Sequence, residues 1–178
     1  RLRAGEITFY NLDGDEIEKE PKEINWDAQA AEKAGFEHFM MKEIHEQPKA
    51  IKDTLGSVVK DGKIDLSNVG LAKEDIENIS QIHIVACGSA WHVGMVAQYV
   101  IEDLARIPVR VELASEFRYR NPIIDKDALV IIISQSGETA DSLAALREAK
   151  SMGIKTLGIV NVVGSSIARE ADNVFYTL

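Results

Sequence analysis

The residues best suited to chemistry stand together at positions 134–139, in the run SQSGET. They offer three hydroxyl groups, a side-chain amide and a glycine (Ser134, Gln135, Ser136, Gly137 and Thr139). No lysine or arginine lies among them, and three isoleucines directly precede them. An apolar strand that ends in a polar turn before a helix exposes amide N–H groups, which favour an anion without a cationic side chain. Each hydroxyl group can also donate to an oxygen atom, so the run predicts a phosphate-binding turn.

A purely structural role for the same hydroxyl groups is the alternative. Serine and threonine commonly cap the first turn of a helix, and Ser136 or Thr139 alone would be enough for that. One cap needs one hydroxyl group, whereas this run supplies three, beside a glycine that lets the backbone approach a ligand closely. The phosphate interpretation is therefore favoured, and substitution of the hydroxyl groups distinguishes the two.

Two other turns have a similar composition and position. Gly88, Ser89 and Ala90 follow Cys87 at the end of the apolar run IHIVAC, and residues 164–166 follow the run KTLGIV. A simple helix cap explains the serines of the last turn. The first turn lacks the glycine spacing of a dinucleotide-binding loop, and neither it nor SQSGET has the glycine-lysine pair of a Walker loop. NAD and ATP are therefore not expected, and no cofactor is predicted.

The second half of the sequence alternates between strand and helix patterns. Strands are predicted at IHIVAC, VRVEL, ALVIII, KTLGIV and NVFYT. Helical spacing lies between them, for example at Val93, Val96, Val100 and Leu104. This alternation predicts an α/β fold, a doubly wound five-stranded parallel sheet flanked by helices, as in flavodoxin. Ligands of such sheets bind at the carboxyl ends of the strands, where the polar turns lie.

The first part of the sequence has a different character. ITFY, the pair Asp13-Gly14 and EIEKE predict a short hairpin, and the stretch around WDAQAAEKAG predicts a linker. The segment FEHFMMKEIHEQ has helical periodicity and is expected to stop before Pro48. The sequence thus divides into a short hairpin with a linker at 1–34 and a folded domain at 35–178.

Composition limits the partners. The 178 residues carry a net charge of −9, which argues against nucleic acid and anionic membrane surfaces. No apolar stretch approaches the length of a membrane span. The lone Cys87 excludes an internal disulfide and fits a reducing cytoplasm. His38 and His45 stand seven residues apart, too far to share a metal ion on one helix face, and no cluster completes a set around His83 or His92. No metal site is predicted.

Several motifs together resemble one known family. They are HFMMKEIHEQP at 38–48, ACGSA at 86–90, ASEFRYR at 114–120, SQSGETADSLAALR at 134–147 and NVVGSS at 161–166. SQSGET resembles the turn that marks the sugar isomerase (SIS) domain superfamily. With the other motifs, the sequence resembles the glutamine–fructose-6-phosphate amidotransferases, also called glucosamine-6-phosphate synthases. The resemblance covers essentially the whole chain.

The resemblance implies a substrate site. The SQSGET turn of the family binds the phosphate group of fructose 6-phosphate, which places that contact on Ser134, Gln135, Ser136 and Thr139. The CGTS turn of the family contacts the sugar, which places that contact on Gly88, Ser89 and Ala90, with Cys87 and Gly137 in supporting positions. Ser89 keeps a hydroxyl group where the family has threonine, whereas Ala90 lacks the hydroxyl group of the family's serine.

The resemblance also implies a place in a larger enzyme of amino-sugar biosynthesis. That enzyme aminates a ketose phosphate and isomerises the product to glucosamine 6-phosphate. Residues 1–34 correspond to the tail of a glutaminase domain and an interdomain linker. Residues 35–178 correspond to the first SIS domain, with truncation at its C-terminus left open. The implied partners are the glutaminase domain, a second SIS domain and a second copy in a homodimer.

The catalytic groups of that family are expected outside this sequence. An N-terminal cysteine releases ammonia from glutamine, and the second SIS domain supplies the acid–base residues, so no catalytic residue is expected within 1–178. The sequence is thus expected to bind the phosphosugar without converting it. Two alternatives are a non-catalytic SIS module that senses a sugar phosphate and a flavodoxin-like or structural α/β domain. Regulators of the sensing type usually carry a basic helix-turn-helix, which residues 1–80 do not show.

Overall fold

A computed structural model describes residues 1–19 and 32–178 of the chain. The chain divides into two compact units, Arg1–His45 and Glu46–Leu178. The predicted linker around WDAQAAEKAG lies mostly outside the described residues.

The first unit contains two short antiparallel hairpins. Strand β1 (Leu2–Arg3) pairs with β2 (Glu6–Ile7), and β3 (Phe9–Tyr10) pairs with β4 (Glu16–Ile17). Gly14, at a φ of +91°, makes the turn of the second hairpin, and Asn11 Oδ1 accepts the N–H groups of Asp13 and Asp15 across it. The hairpin predicted from Asp13-Gly14 is therefore confirmed. The first hairpin, which turns at Gly5, was not predicted.

Helix α1 spans Phe39–Gly56 and contains Pro48. The expectation that it stops before Pro48 is wrong. A proline in a helix interior removes one amide donor, and the segment after it continues with good helix formers such as lysine, alanine and leucine. Lys49 pairs with Asp53 one turn later at 2.7 Å, which supports the continuation.

The second unit is built on one parallel sheet. Its elements in chain order are β5 (Val59–Lys60), β6 (Lys63–Ile64), a 3-10 turn (Ser67–Val69), α2 (Lys73–Glu77), β7 (Gln81–Ala86), α3 (Gly88–Ala105), β8 (Val109–Leu113), α4 (Ala114–Tyr119), β9 (Ala128–Ser134), α5 (Ala140–Ser151), β10 (Lys155–Val160), α6 (Ser166–Glu170) and β11 (Asn173–Tyr176). β5 and β6 form a separate hairpin. The five long strands are parallel in the order β11-β10-β9-β7-β8, which confirms the predicted fold.

Apolar residues bury both faces of this sheet. Val85 and Ile132 point to one face, where they pack with Phe117 of α4 and Leu146 of α5. Ile84 and Ile131, one position away along the same strands, belong to the opposite core with α3. Helices therefore cover both faces, as a doubly wound sheet requires.

Helix α3 lies close to the sheet through small residues. At Gly94 a Cβ atom would lie 2.9 Å from Ile84 and 3.0 Å from Val111, so only glycine fits without a shift. The predicted helix is confirmed. The four residues whose spacing predicted it are 50–78% exposed on the outer face: Val93, Val96, Val100 and Leu104. Among the described residues, no helix is both long and apolar enough to cross a membrane.

Candidate phosphate-binding site

Two of the predicted polar turns, the one after β7 and the one after β9, follow neighbouring strands of the sheet. β7 and β9 are neighbours, and the connections that leave them run to opposite faces, through α3 and α5. Such a switch point opens a crevice at the carboxyl ends of the two strands. Ser142 in the first turn of α5 donates to Cys87 Sγ at 3.9 Å, so the structure brings the start of α5 next to the turn that follows β7. Cys87 is half-buried and packs on the core.

The SQSGET turn is organised by its own hydroxyl groups. Ser134 Oγ is buried at the end of β9, 3.0 Å from Thr139 Oγ1, and accepts the N–H of Gly137 at 3.2 Å. Ser136 Oγ accepts the N–H of Glu138 at 3.2 Å. Gly137 has a φ of +64°, a left-handed conformation that glycine adopts without a steric penalty. Gln135 is exposed beside them.

The start of α5 leaves amide donors open beside these hydroxyl groups. Thr139 occupies the cap position, yet its side chain makes no capping hydrogen bond. The first bond into the helix runs from Leu143 N–H to the Thr139 carbonyl oxygen at 2.9 Å. In the part of the chain that the structure describes, the N–H groups of residues 139–142 donate to no protein acceptor. Open donors at a helix N-terminus favour an anion.

The turn after β7 has the same basic layout. Gly88 has a φ of +57° directly after Cys87, whose side chain does not cap α3. Ser89 is exposed and Ala90 is half-buried on the first turn of the helix. His92 Nδ1 lies 3.1 Å from the carbonyl oxygen of Gly88 and so braces this turn. The residues predicted to contact the sugar thus follow β7, the strand that neighbours β9 in the sheet.

Two arginines near the site pair with carboxylates. Arg118 pairs with Asp141 in the first turn of α5 at 2.9 Å, and Arg120 forms a bidentate pair with Glu112 at 2.6 Å. Burial raises the pKa of Glu112. The Arg120 guanidinium group and the adjacent His83 outweigh burial, so the pKa of Glu112 falls below its usual value. With these two arginines paired, the donors that the SQSGET turn itself offers an anion are hydroxyl and amide groups.

The third turn, before α6, differs from the simple cap expected there. Ser165 makes no capping hydrogen bond to α6. The N–H of Ser166 donates instead to Glu138 Oε1 at 2.6 Å, and the N–H of Ile167 donates to the carbonyl oxygen of Gly137 at 3.0 Å. Sequence reasoning missed Glu138 in this role, because its partner lies 28 residues further along the chain and no local pattern connects them.

The SQSGET turn and the turn before α6 are joined at two more places. The N–H of Asn161 donates to the Gln135 carbonyl oxygen at 3.1 Å, and Gln135 Nε2 donates to Asn161 Oδ1 at 3.4 Å. A Cβ atom at Gly137 would overlap Ser165, so the turns touch where only glycine fits. Ser165 is 2% exposed, and its hydroxyl group has no hydrogen-bond partner among the described residues.

The histidines lie away from any arrangement that could hold a metal ion. Within residues 1–19 and 32–178 no three histidine, cysteine, aspartate or glutamate side chains converge on a possible metal site. His45 stacks on Phe36 with ring centroids 5.2 Å apart, and His83 is buried beside Glu112 at 3.3 Å.

Comparison with known proteins identifies the family of this chain. A family model described as the SIS domain matches residues 75–178, which include both polar turns. The chain belongs to the SIS domain family. Among curated relatives, it is 60% identical over 99% of its length to a glutamine–fructose-6-phosphate aminotransferase (isomerizing) of Clostridium acetobutylicum. It is 47% identical over 99% of its length to the enzyme of that name from Methanosarcina acetivorans. The chain spans 29% of each relative.

Solved structures agree with the SIS assignment. The C-terminal domain of glucosamine-fructose-6-phosphate aminotransferase from Francisella tularensis is similar with a TM-score of 0.77 and 45% identity. That match covers 82% of this chain and 41% of the other. The sugar isomerase domain of an RpiR transcription factor from Sphaerobacter thermophilus has the same fold, with a TM-score of 0.58 and 22% identity over 75% of this chain and 74% of that one.

Proposed function

We propose that this SIS domain is the sugar-phosphate-binding part of an isomerising glutamine–fructose-6-phosphate aminotransferase in amino-sugar biosynthesis. The observation that carries the proposal is the set of open N–H groups at residues 139–142, beside the hydroxyl groups of Ser134, Ser136 and Thr139. This arrangement suits a phosphate group, and the similarity to aminotransferases over 99% of the chain supports fructose 6-phosphate as the molecule that carries it.

Several donors of the turn bind the ligand together. The phosphate group accepts hydrogen bonds from the α5 amides, from the hydroxyl groups of Ser136 and Thr139, and from the Gln135 side chain. Thr139 Oγ1 is 3.0 Å from Ser134 Oγ, and rotation of the hydroxyl hydrogen lets Thr139 donate to the ligand while Ser134 supports the turn. Three such charge-assisted bonds, at roughly 1.5–3 kcal/mol each, can hold a phosphate group without a lysine or arginine in the turn. The sugar then lies against Gly88, Ser89 and Ala90, with Cys87 and Gly137 shaping the crevice.

The full-length protein would complete the reaction. In it, fructose 6-phosphate and glutamine give glucosamine 6-phosphate and glutamate, without a cofactor. Residues 1–34 belong to the end of the glutaminase domain and the linker, and residues 35–178 to the first SIS domain. A second SIS domain supplies the acid–base groups, and two copies assemble in a cytoplasmic homodimer. On this proposal the 178-residue chain binds the phosphosugar but does not convert it.

Two measurements test the proposal. Calorimetric titration of the chain with fructose 6-phosphate, glucosamine 6-phosphate and FMN should give binding of the two hexose phosphates and none of FMN. Binding of FMN alone, or of none of the three, contradicts it. An assay of the chain with fructose 6-phosphate and either glutamine or ammonia should show no glucosamine 6-phosphate, whereas the full-length protein should produce it with glutamine. Turnover by the chain alone would place catalytic residues within it.

A further inference from the structure

Glu138 links the SQSGET turn to the start of α6. Its carboxylate accepts the N–H of Ser166 at 2.6 Å, and the carbonyl oxygen of the neighbouring Gly137 accepts the N–H of Ile167 at 3.0 Å. The first two amide donors of α6 are thus satisfied by the turn that follows β9. The donors at residues 139–142, which begin α5, have no protein acceptor in the described chain. The N-terminal amides of α6 therefore have protein acceptors, whereas those of α5 are open to a ligand.

The contact surface between the two turns leaves little room for movement. Gly137 is buried against Ser165 at a point where a Cβ atom would overlap the serine side chain. Gln135 and Asn161 add two further hydrogen bonds on the other side of Gly137. A turn held on both sides keeps one shape, and a fixed arrangement of donors loses less entropy when it binds a ligand.

We propose that Glu138 is a positioning residue of the phosphate-binding turn. Its carboxylate caps α6, the helix that follows the neighbouring strand β10, and this holds the turn in the shape that leaves the α5 donors open to the phosphate group. The inference rests on the proposed function, since it concerns the geometry of the same site. Glu138 itself is not expected to touch the ligand, because a carboxylate and a phosphate repel each other.

The charge of Glu138 makes this role distinguishable from a passive one. A carboxylate next to an anion site weakens anion binding when nothing offsets its charge. Here the hydrogen bond from Ser166 and the nearby Arg169 favour the ionised form, and the pKa of Glu138 falls below its usual value. If Glu138 were a bystander, removing its charge would tighten phosphate binding. If it positions the turn, removing its oxygen acceptor weakens binding.

Three variants of the 178-residue chain separate these outcomes. Glu138→Ala removes both charge and acceptor, Glu138→Gln removes the charge and keeps an acceptor oxygen, and Asp65→Ala is the matched control. Asp65 also accepts the N–H of a residue that begins a short helical turn, Ser67, at 2.9 Å, but it lies outside the site. Affinities for inorganic phosphate and for fructose 6-phosphate are measured for each variant by titration, well below the melting temperature.

The expected result is a loss of roughly tenfold in both affinities for Glu138→Ala, with Glu138→Gln within about threefold of the unmodified chain. Asp65→Ala should bind as the unmodified chain does. Equal or tighter binding by both Glu138 variants overturns the inference and leaves the proposed function intact. If the unmodified chain binds neither ligand, the proposed function falls and the inference with it.

Amide hydrogen exchange gives a second measurement that does not need the ligand. The N–H groups of Ser166 and Ile167 should exchange faster in Glu138→Ala than in Glu138→Gln, while amides in β7 keep their protection. Unchanged exchange at both residues in Glu138→Ala shows that the carboxylate does not hold the two turns together, and it overturns the inference even when the variant is too unstable for titration.

Discussion

The hydroxyl oxygens of Ser134 and Thr139 lie 3.0 Å apart, at the two ends of one turn, and Thr139 makes no capping bond to the helix that it precedes. Ser134 in turn accepts the N–H of Gly137 and is buried. The inner hydroxyl group therefore supports the turn. Either hydroxyl group can donate in this pair, and when Ser134 donates, the hydrogen of Thr139 is available for a ligand. On the proposed function, substitution of Thr139 should therefore act mainly on binding and substitution of Ser134 mainly on stability.

Thr139→Ala should weaken ligand binding strongly and cost only about 0.5–1.5 kcal/mol of stability, through the lost bond to Ser134. It deletes one charge-assisted hydrogen bond, so the affinities for inorganic phosphate and fructose 6-phosphate should fall in parallel, by about ten- to a hundredfold. Thr139→Ser keeps the hydroxyl group and serves as the control. Titration and thermal melting are measured for both variants. An unchanged affinity with a lowered melting temperature would support a structural role for Thr139 and contradict the phosphate-binding turn.

Ser136→Ala should lower both affinity and stability. Ser136 Oγ accepts the N–H of Glu138 within the turn, so the variant loses that local bond as well as a donor to the phosphate group. We expect a loss of about 1 kcal/mol in the free energy of unfolding, together with an affinity loss similar to that of Thr139→Ala. Denaturant unfolding and titration on the same sample give both values. An effect on stability alone would assign Ser136 to the turn and not to the ligand.

The strand and helix order of the sheet was predictable because each strand is marked by its own apolar run. Val130 and Ile132 alternate with Leu129 and Ile131 between two cores, and such a continuous apolar run is typical of a strand buried on both faces. Both polar turns were predictable for the same reason, since each directly follows such a strand. Local pattern and tertiary position agree in these segments.

Features that depend on distant contacts were not predictable. The capping of Ser166 by Glu138 joins residues 28 apart, and no local signal distinguishes it from an ordinary serine cap. Periodicity alone does not tell which side of α3 faces the sheet. Its inner side uses Gly94, Ala97 and Ile101, and the close approach at Gly94 sets this side against the sheet while Leu104 stays exposed. The stop expected at Pro48 failed because one missing amide bond does not outweigh good helix formers on both sides.

Gly137→Ala should be strongly destabilising, and Ser165→Gly should restore part of the loss. The new methyl group meets both a left-handed backbone and the Ser165 side chain, for a combined cost of about 2–4 kcal/mol. The double variant relieves the contact and leaves the backbone strain. Gly153→Ala is the matched control, because Gly153 has a φ of +74° with nothing within 4 Å of the Cβ position. Denaturant unfolding of all four variants measures the cycle. Equal losses for Gly137→Ala and Gly153→Ala would show that the Ser165 contact is unimportant.

Stability should fall as the pH drops below the usual pKa of histidine, because of His83. Burial lowers the pKa of His83 from 6.5, and the adjacent Glu112 offsets this only partly, while Arg110 and Arg120 oppose protonation. The unfolded chain then binds the proton at a higher pH than the folded chain. The contribution of the neutral ring is therefore present above about pH 6.5 and is lost as the pH falls through the lowered value. Unfolding free energies at pH 7.5 and 5.5 should differ less in His83→Gln. An equal difference in both proteins would assign the pH dependence to other groups.

The hairpins of residues 1–19 should be less protected against amide hydrogen exchange than the parallel sheet of the second unit. Their four strands have only two residues each, and isolated short hairpins open easily in water. β7 and β9, in contrast, are buried central strands with a parallel partner on each side. Exchange followed by mass spectrometry should show the N-terminal amides exchanging fully before those of β7 and β9 begin to exchange. Equal protection of the two regions would mean that residues 1–19 are held by contacts beyond their own hairpins, and repeating the measurement across a range of chain concentrations would show whether a second copy supplies them.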